Sequence, residues 1–404
     1  MIPGPSPAAS ESGTRWGLIA SAWSVYALYY LGRVNFSVAV PRLGDEAGLE
    51  ATEIGALAAG FFWVYSISAV PVGRLADRYG ARVLVGLGLV GSGIMNVLFV
   101  VLSDHFAAAL VVWSANGVFQ AMGWTPLAGG LGRWVSEQRA PRVIASFGSC
   151  FVAGTALTFA IGGLIVDRAG VDAVFLAACA VLVPIGVVWW IGVRDPVTLE
   201  KKDEGATGSI TRVLWLLPPS AAIGVPYVAL IVWTPAYFVQ VHGLSVGRSG
   251  LLSAALPATS IAAILLLGRW FRSSGGPSAA LKGGIVLTVT SAMLLSVSRA
   301  PNLATGFVTI ALSTALVGGS SSLVLGLFPR MTAPGRVALA SGIFALAFNL
   351  GGSAGSPFVG SLIGREAWDL VFVFLAVCVL AGGLWSYGWY ARARREPRPG
   401  WSVP

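Results

Sequence analysis

The chain has 404 residues, 56% of them hydrophobic and only 11% charged, with a mean hydropathy of +0.79. A soluble domain carries about 25% charged residues, so the polar surface needed to wrap a water-facing globule is missing, and soluble-enzyme readings fall far behind. The net charge of +9, from 26 basic and 17 acidic residues, reads as an orientation signal and not as a nucleic-acid surface, because of where the basic residues fall. The 15 Trp, 52 Gly and 22 Pro suit membrane helices, in which interfacial Trp and intrahelical Gly and Pro are frequent. Cys150, Cys179 and Cys378 all lie in apolar stretches and imply no disulfide framework.

Residues 1–16 are small and polar and read as a cytoplasmic tail, not a cleaved leader. Apolar runs of about the 20 residues needed to cross a bilayer then recur. The first six are expected at 17–40, 54–72, 83–102, 106–131, 143–166 and 171–193. The longest hydrophilic stretch, 194–212, carries Lys201, Lys202, Asp203 and Glu204 and reads as a cytoplasmic linker. Six more spans are expected at 213–241, 251–267, 282–298, 303–328, 337–362 and 368–391, before a basic tail at 392–404. The fold class is thus an all-α polytopic membrane protein, with twelve transmembrane helices in two six-helix bundles, 17–193 and 213–391.

With the N-terminus inside, twenty Lys and Arg fall on the cytoplasmic side. Only Arg42, Arg168, Arg248, Arg299 and Arg365 fall outside, and Arg33 is left within the membrane. This asymmetry is what the positive-inside rule demands. It places the chain in the cell (inner) membrane, with both termini cytoplasmic. The halves echo each other: Gly73-Arg74 recurs as Gly268-Arg269, and Val143-Ile-Ala-Ser-Phe-Gly as Val337-Ala-Leu-Ala-Ser-Gly. Two related six-helix halves joined by a long linker describe alternating-access transporters, with the substrate site near the midplane.

Arg33 stands in Tyr29-Tyr30-Leu-Gly-Arg33-Val-Asn35-Phe36, well inside the first span. An arginine there costs at least about 2.5 kcal/mol, so it needs a water-filled cavity or a partner. Tyr26, Tyr29, Tyr30 and Ser37 share roughly its face. A planar, always-charged fork among phenols suits an anionic oxygen cluster, phosphate or carboxylate; snorkelling or pairing with helix-end carbonyls is the alternative. No other Lys, Arg, Asp, Glu or His lies deep in the expected spans, which favours exchange or facilitated transport over proton symport. Asp45, Glu46 and Glu53 at the outer mouth read as solvated. In the fourth span, Asn116, Gln120 and Trp124 sit beside Pro126, the amides either lining a cavity or bonding between helices.

The loop Gly73-Arg-Leu-Ala-Asp77-Arg78-Tyr-Gly80-Ala-Arg82 resembles the loop motif of the major facilitator superfamily. Gly73 would allow close helix approach, Gly80 a sharp turn, and Asp77 a latch on Arg donors or a helix N-terminus. The second-half copy has Arg272 where the acid would be. Four segments look more specifically like the organophosphate:phosphate antiporters. They are Tyr29 to Phe36, Asn116-Gly117-Val-Phe119-Gln120-Ala-Met122-Gly123-Trp124-Thr-Pro126, Trp233-Thr-Pro235-Ala-Tyr237, and Phe348-Asn349-Leu-Gly351-Gly352-Ser353. The resemblance implies two arginines clamping phosphate, from the first and seventh spans. Arg33 fills the first place, whereas the second falls at Tyr227 or Pro226. Val34, Ala69 and Val152 stand where members can carry Lys, Lys and His. One arginine neutralises a dianion less well in a low-dielectric cavity. The expected cargo is then a monoanion, an amphiphilic anion or a compound that is not phosphorylated, against an aromatic wall of Tyr65, Tyr227 and Trp233. The sister anion:cation symporters resemble the first span too, but Gly32 replaces their Asp. Drug-exporting members carry a Gly-Pro step that the fifth span lacks.

The leading reading is therefore a secondary transporter, not an enzyme. It would move a small organic anion held by Arg33, Tyr26, Tyr29, Tyr30, Tyr65, Asn116, Gln120, Trp124, Tyr227, Trp233 and Asn349, gated by Gly73, Asp77, Arg78, Gly80 and Arg82. No cofactor, metal or nucleic acid is implied; the lipid bilayer is the partner and a monomer the expected state. The second reading is a proton-driven exporter of amphiphilic compounds. A ligand-sensing receptor without flux is the third. An intramembrane enzyme comes last, for want of a nucleophile–base pair or metal cluster in the spans.

Overall fold

The computed structural model describes residues 16–135, 139, 143, 146–193, 214–271, 276–331 and 337–395. The expected tail up to residue 15, the 194–212 linker, Arg272 and the tail beyond 395 lie outside the described residues. All regular structure among the described residues is helical. In chain order the helices are α1 (Trp16–Tyr29), α2 (Val34–Ala47), α3 (Ala51–Leu102), α4 (Phe106–Trp134), α5 (Ser149–Ala169), α6 (Val171–Gly192) and α7 (Leu217–Gln240). They continue with α8 (Val246–Phe271), α9 (Gly276–Val297), α10 (Leu303–Met331), α11 (Val337–Ala354), α12 (Ser356–Ile363) and α13 (Trp368–Arg395).

Ten of these segments are long and apolar enough to cross a membrane. One of the ten, α3, is two spans. Its 52 residues fold back at Gly80, whose φ of 75° and ψ of 171° are non-helical and are adopted cheaply only by a residue without Cβ. The first span is α1 and α2 together, broken at the 3-10 turn Tyr30–Gly32, and it completes the twelve. Continuous helix was expected over 17–40, and the break is the main departure from the sequence reading. The eleventh span is also interrupted, between α11 and α12. The eighth and ninth spans are longer than their apolar cores of 251–267 and 282–298.

Local chemistry starts and stops these helices where hydropathy alone does not. Gly48 ends α2 in the left-handed region, with φ 66°. Glu50 and Glu53 form a reciprocal capping box at the start of α3, the Glu50 amide donating to the Glu53 carboxylate at 2.9 Å. Side chains such as Val111, Val188 and Ile191 stay more than two-thirds exposed, as hydrocarbon-facing residues should. The first half packs around rings: Phe36 stacks on Trp113 at 5.0 Å, and Phe99 lies 4.8 Å from Phe175.

Close approaches between the halves fall at the ends opposite to the start of α1. At that face the start of α3 meets α12, and the end of α5 meets the start of α8. The contacts are made by small residues: a Cβ added at Gly55 would strike the Ser356 carbonyl, one at Gly360 the Ala51 carbonyl, and one at Gly250 the Phe159 carbonyl. Backbone-to-backbone packing through glycine is how membrane helices gain dispersion contact without a hydrophobic driving force.

Candidate functional site

A helix broken inside a membrane frees carbonyls that lipid cannot satisfy. Around Tyr30–Gly32 they are satisfied by amides from two other spans. Asn116 Nδ2 donates to the Gly32 carbonyl at 2.8 Å and Asn96 Nδ2 to the same oxygen at 3.2 Å. Gln120 Nε2 donates to the Tyr29 carbonyl at 3.2 Å. These amides are cross-braced: Ser92 Oγ donates to Asn116 Oδ1 at 2.7 Å and accepts from Gln120 Nε2 at 2.8 Å. Asn35 Nδ2 donates to Asn96 Oδ1 at 2.6 Å. Every member of this network is at least 98% buried, the setting in which a fully satisfied polar network fixes one conformation.

Arg33 follows the break directly, at φ −137° and ψ −38°. Its guanidinium carbon lies 4.5 Å from the Tyr30 ring centroid and 5.5 Å from that of Tyr65, within cation–π range. Tyr26 and Tyr227 also lie in its electrostatic neighbourhood. Four phenols from the first, second and seventh spans thus surround one cation. Among the described residues no carboxylate pairs with it; both ion pairs there belong to Arg42.

The remaining expected site residues divide clearly. Trp124, 36% exposed, lies 5.3 Å from the Tyr26 ring and 6.0 Å from Phe147, extending the aromatic wall towards the face where α1 begins. Tyr65 stacks on Phe61, and Tyr227 meets Phe348 at 4.9 Å with the ring planes tilted by 58°, so both rings have an aromatic neighbour. Asn349 is half-buried and donates to the Ala345 carbonyl of its own helix at 2.9 Å. Four of the expected residues are engaged away from the guanidinium or set off the pocket-lining stripe in this conformation. Asn116 and Gln120 have their amide donors committed to the break. Tyr29 is 1% exposed and donates to the Phe119 carbonyl at 2.9 Å. Trp233 is buried and lies about 100° around α7 from Thr234, off the stripe Tyr227, Leu230, Ile231 and Thr234 that lines the adjacent pocket.

Of the loop residues, Asp77 and Arg78 are exposed, and no ion pair reaches Asp77 among the described residues. Gly73 faces Thr125 across ordinary van der Waals distance, and Arg82 Nε donates to the Trp190 carbonyl at 2.7 Å, tying the Gly80 fold to the end of α6. At the opposite face sits a cluster the sequence reading missed. Arg42 lies 3.6 Å from both Glu46 and Asp167. Asp167 Oδ2 accepts from the Gly247 amide at 2.8 Å, in the first turn of α8, where helix N-termini favour negative charge. Glu46 accepts from the Val171 amide at 2.7 Å, so Glu46 and Glu53 serve as helix-end acceptors and not merely as solvated charges. Asn96 and Ser92 were also missed; an Asn in the middle of an otherwise apolar third span was the available signal.

Twelve spans in two bundles, with a broken first helix carrying a cation at mid-depth, define a multi-pass membrane protein of the transporter class. The chain belongs to the Major Facilitator Superfamily, whose family signature matches residues 22–325. It is 25% identical to the probable anion transporter 4, chloroplastic, of Oryza sativa subsp. japonica, over 93% of this chain and 68% of that protein. It is 22% identical to the ascorbate transporter, chloroplastic, of Arabidopsis thaliana, over 94% and 75% respectively. A shorter match, 36% identical over 30% of this chain and 27% of the other, is to the membrane sensor protein UhpC of Escherichia coli. The fold superposes with a TM-score of 0.78 on a bacterial homologue of the human lysosomal transporter Spinster, in its inward-facing and occupied conformation. That similarity has 15% identity and covers 98% of this chain and 100% of the other. These relatives are named as transporters or a sensor, not as enzymes, in keeping with the resemblance to organophosphate:phosphate antiporters.

Proposed function

We propose that the chain is a secondary transporter of a small organic anion, phosphorylated or carboxylate, which docks its charged end on Arg33. The observation that carries this is the guanidinium itself: set at a braced break in the first span, ringed by four phenols and without a carboxylate partner among the described residues. A permanently charged fork so placed is costly unless a mobile anion completes it. Phenol hydroxyls from Tyr26, Tyr30, Tyr65 and Tyr227 offer further donors to anionic oxygens. The names of the anion and ascorbate transporters point to the same class of cargo.

Movement is by alternating access. The halves meet through small residues at the face opposite the start of α1, where Arg42, Asp167 and the α8 N-terminus form a latch. The other face, with Trp124 and Asp77 exposed, is the open one. By the positive-inside rule the open face is cytoplasmic and the membrane is the cell membrane. On reversal, Asp77 and Arg78 would clasp the face that is now open. In proteoliposomes, Arg33→Ala should abolish uptake of the transported anion while leaving expression and folding intact. Undiminished anion uptake by that variant would refute the reading.

A further inference from the structure

A groove of about 860 Å³ runs along the outside of the first half, between α1 and α6, on the face where α1 begins. Leu18, Ser21, Ser24 and Leu28 line one wall, Val188 and Gly192 the other. It opens to the bilayer: Val188 is 69% exposed, and Ser21 and Ser24 are exposed as well. At about 100° per residue, Ser21, Ser24 and Leu28 stand on the side of α1 away from Tyr26 and Tyr30, so the groove is separate from the Arg33 site. Its walls cannot close on each other, because each is tied to a different neighbour. On α1, Trp23 Nε1 donates to Ser149 Oγ of α5 at 3.0 Å, and a Cβ added at Gly154 of α5 would strike the Ala27 carbonyl. On α6, Trp189 Nε1 donates to the Ala81 carbonyl of α3 at 3.3 Å. Arg82 Nε of α3 donates to the Trp190 carbonyl at 2.7 Å, and a Cβ at Gly86 would meet the Trp190 Cβ at 3.1 Å. A Cβ at Gly192, by contrast, would meet nothing within 4 Å. Left empty, such a space forfeits the dispersion contacts of its lining.

We propose that this groove docks one anionic phospholipid, with an acyl chain laid between α1 and α6 and its headgroup at the end where α1 begins and α6 stops. Depth and charge choose the occupant. The walls belong to membrane spans, where the surrounding medium is hydrocarbon, and Leu28 and Val188 offer the chain an apolar bed. Ser21 stands about 7.5 Å along α1 from Trp16, which is 55% exposed at the level where interfacial tryptophans sit. The Ser21 and Ser24 hydroxyls there can donate to the ester oxygens of the glycerol backbone. No acidic side chain lines the groove, and the Arg82 guanidinium is held at the end of α6. In the sequence Arg15 directly precedes Trp16 and Arg194 directly follows Val193, both outside the described residues. Basic residues at the ends of spans attract anionic headgroups. A lipid so placed braces the outer side of the helix whose inner side carries Tyr26 and Tyr30. The proposal does not depend on which cargo Arg33 meets.

The test uses the purified full-length protein, with dioleoyl phosphatidylglycerol and dioleoyl phosphatidylcholine as probes. Native mass spectrometry counts the lipid retained, and thermal melting reads the stabilisation it brings. The wild type should retain one phosphatidylglycerol about fivefold better than phosphatidylcholine, the worth of one cation near the headgroup, and high salt should shrink that preference. Ser24→Phe and Gly192→Leu each fill the groove from one wall, so each should retain about tenfold less phosphatidylglycerol and gain less melting temperature from it. Without added lipid both should melt close to the wild type, since neither position is enclosed by protein. Leu265→Phe, at a 60% exposed position on α8 outside the groove, should retain lipid as the wild type does. Undiminished retention in a folded groove variant overturns the site, and so does an equal loss in the Leu265 variant. A wild type that holds the two lipids equally well overturns the assignment without any variant.

Discussion

Asn116, in the fourth span, donates its side-chain amide to the carbonyl of Gly32, in the first, at 2.8 Å. This bond lies behind Arg33 and not in front of it. The amides of the fourth span thus hold the first helix broken at the residue before the cation, and under the proposed function they would act on the cargo only through that backbone.

Replacing Asn116 with Leu should therefore cost stability as well as function. It leaves the Gly32 carbonyl short of a donor and Ser92 short of an acceptor, a loss of about 1–3 kcal/mol for each buried group stranded. The expected result is a lowered melting temperature together with weakened anion binding. Arg33→Ala, by contrast, should weaken binding with the melting temperature unchanged or raised. Thermal unfolding of both proteins with and without ligand checks the contrast.

Asp167→Asn should loosen the closed face. The carboxylate joins Arg42 of the first half to the Gly247 amide of the second, and the amide replacement keeps its shape while losing the charge that favours both partners. With Cys150, Cys179 and Cys378 replaced, a cysteine introduced at Ser249 should label faster in the Asn variant than in the parent. An unchanged rate would mean that the latch carries no weight in closing that face.

Gly250→Val should act on the same equilibrium by volume. The new side chain would run into the Phe159 carbonyl and towards Gly163, so the halves could no longer meet there. Transport should be lost, while equilibrium binding of an anion persists from the face that Gly250 no longer closes. Flux and binding measured on the same preparation separate this outcome from misfolding.

His242 provides a pH dependence outside the spans. Burial lowers it below the usual histidine range; its Nε2 is enclosed without a hydrogen-bond partner, and its ring lies 5.2 Å from Tyr237. The unfolded chain therefore binds a proton at this position more readily than the folded one. Stability should be full above about pH 6.5 and fall as the pH drops through the lower folded-state value. His242→Gln should flatten that slope in melting curves taken between pH 5 and pH 8.

The twelve spans were legible because hydropathy is a local property, and Arg33 stood out because a cation in an apolar run is costly wherever it lies. The break at Tyr30–Gly32 was not legible. Nothing in Tyr29-Tyr30-Leu-Gly interrupts an apolar helix, and the groups that stabilise the interruption, Asn96, Asn116 and Gln120, come from other spans. Tyr227 and Trp233 could not be separated without the rotational setting of α7. Asp167 lay one residue beyond the expected end of the fifth span, so its bond to the α8 N-terminus was out of reach.

Arg33 is carried by one half of the molecule, while Tyr227 is carried by the other. A passenger touched by both would be held best at the instant the two halves are nearest. Under the proposed function, affinity would then peak midway through the crossing and not at either doorway, which would lower the summit of the journey and leave release easy on both shores.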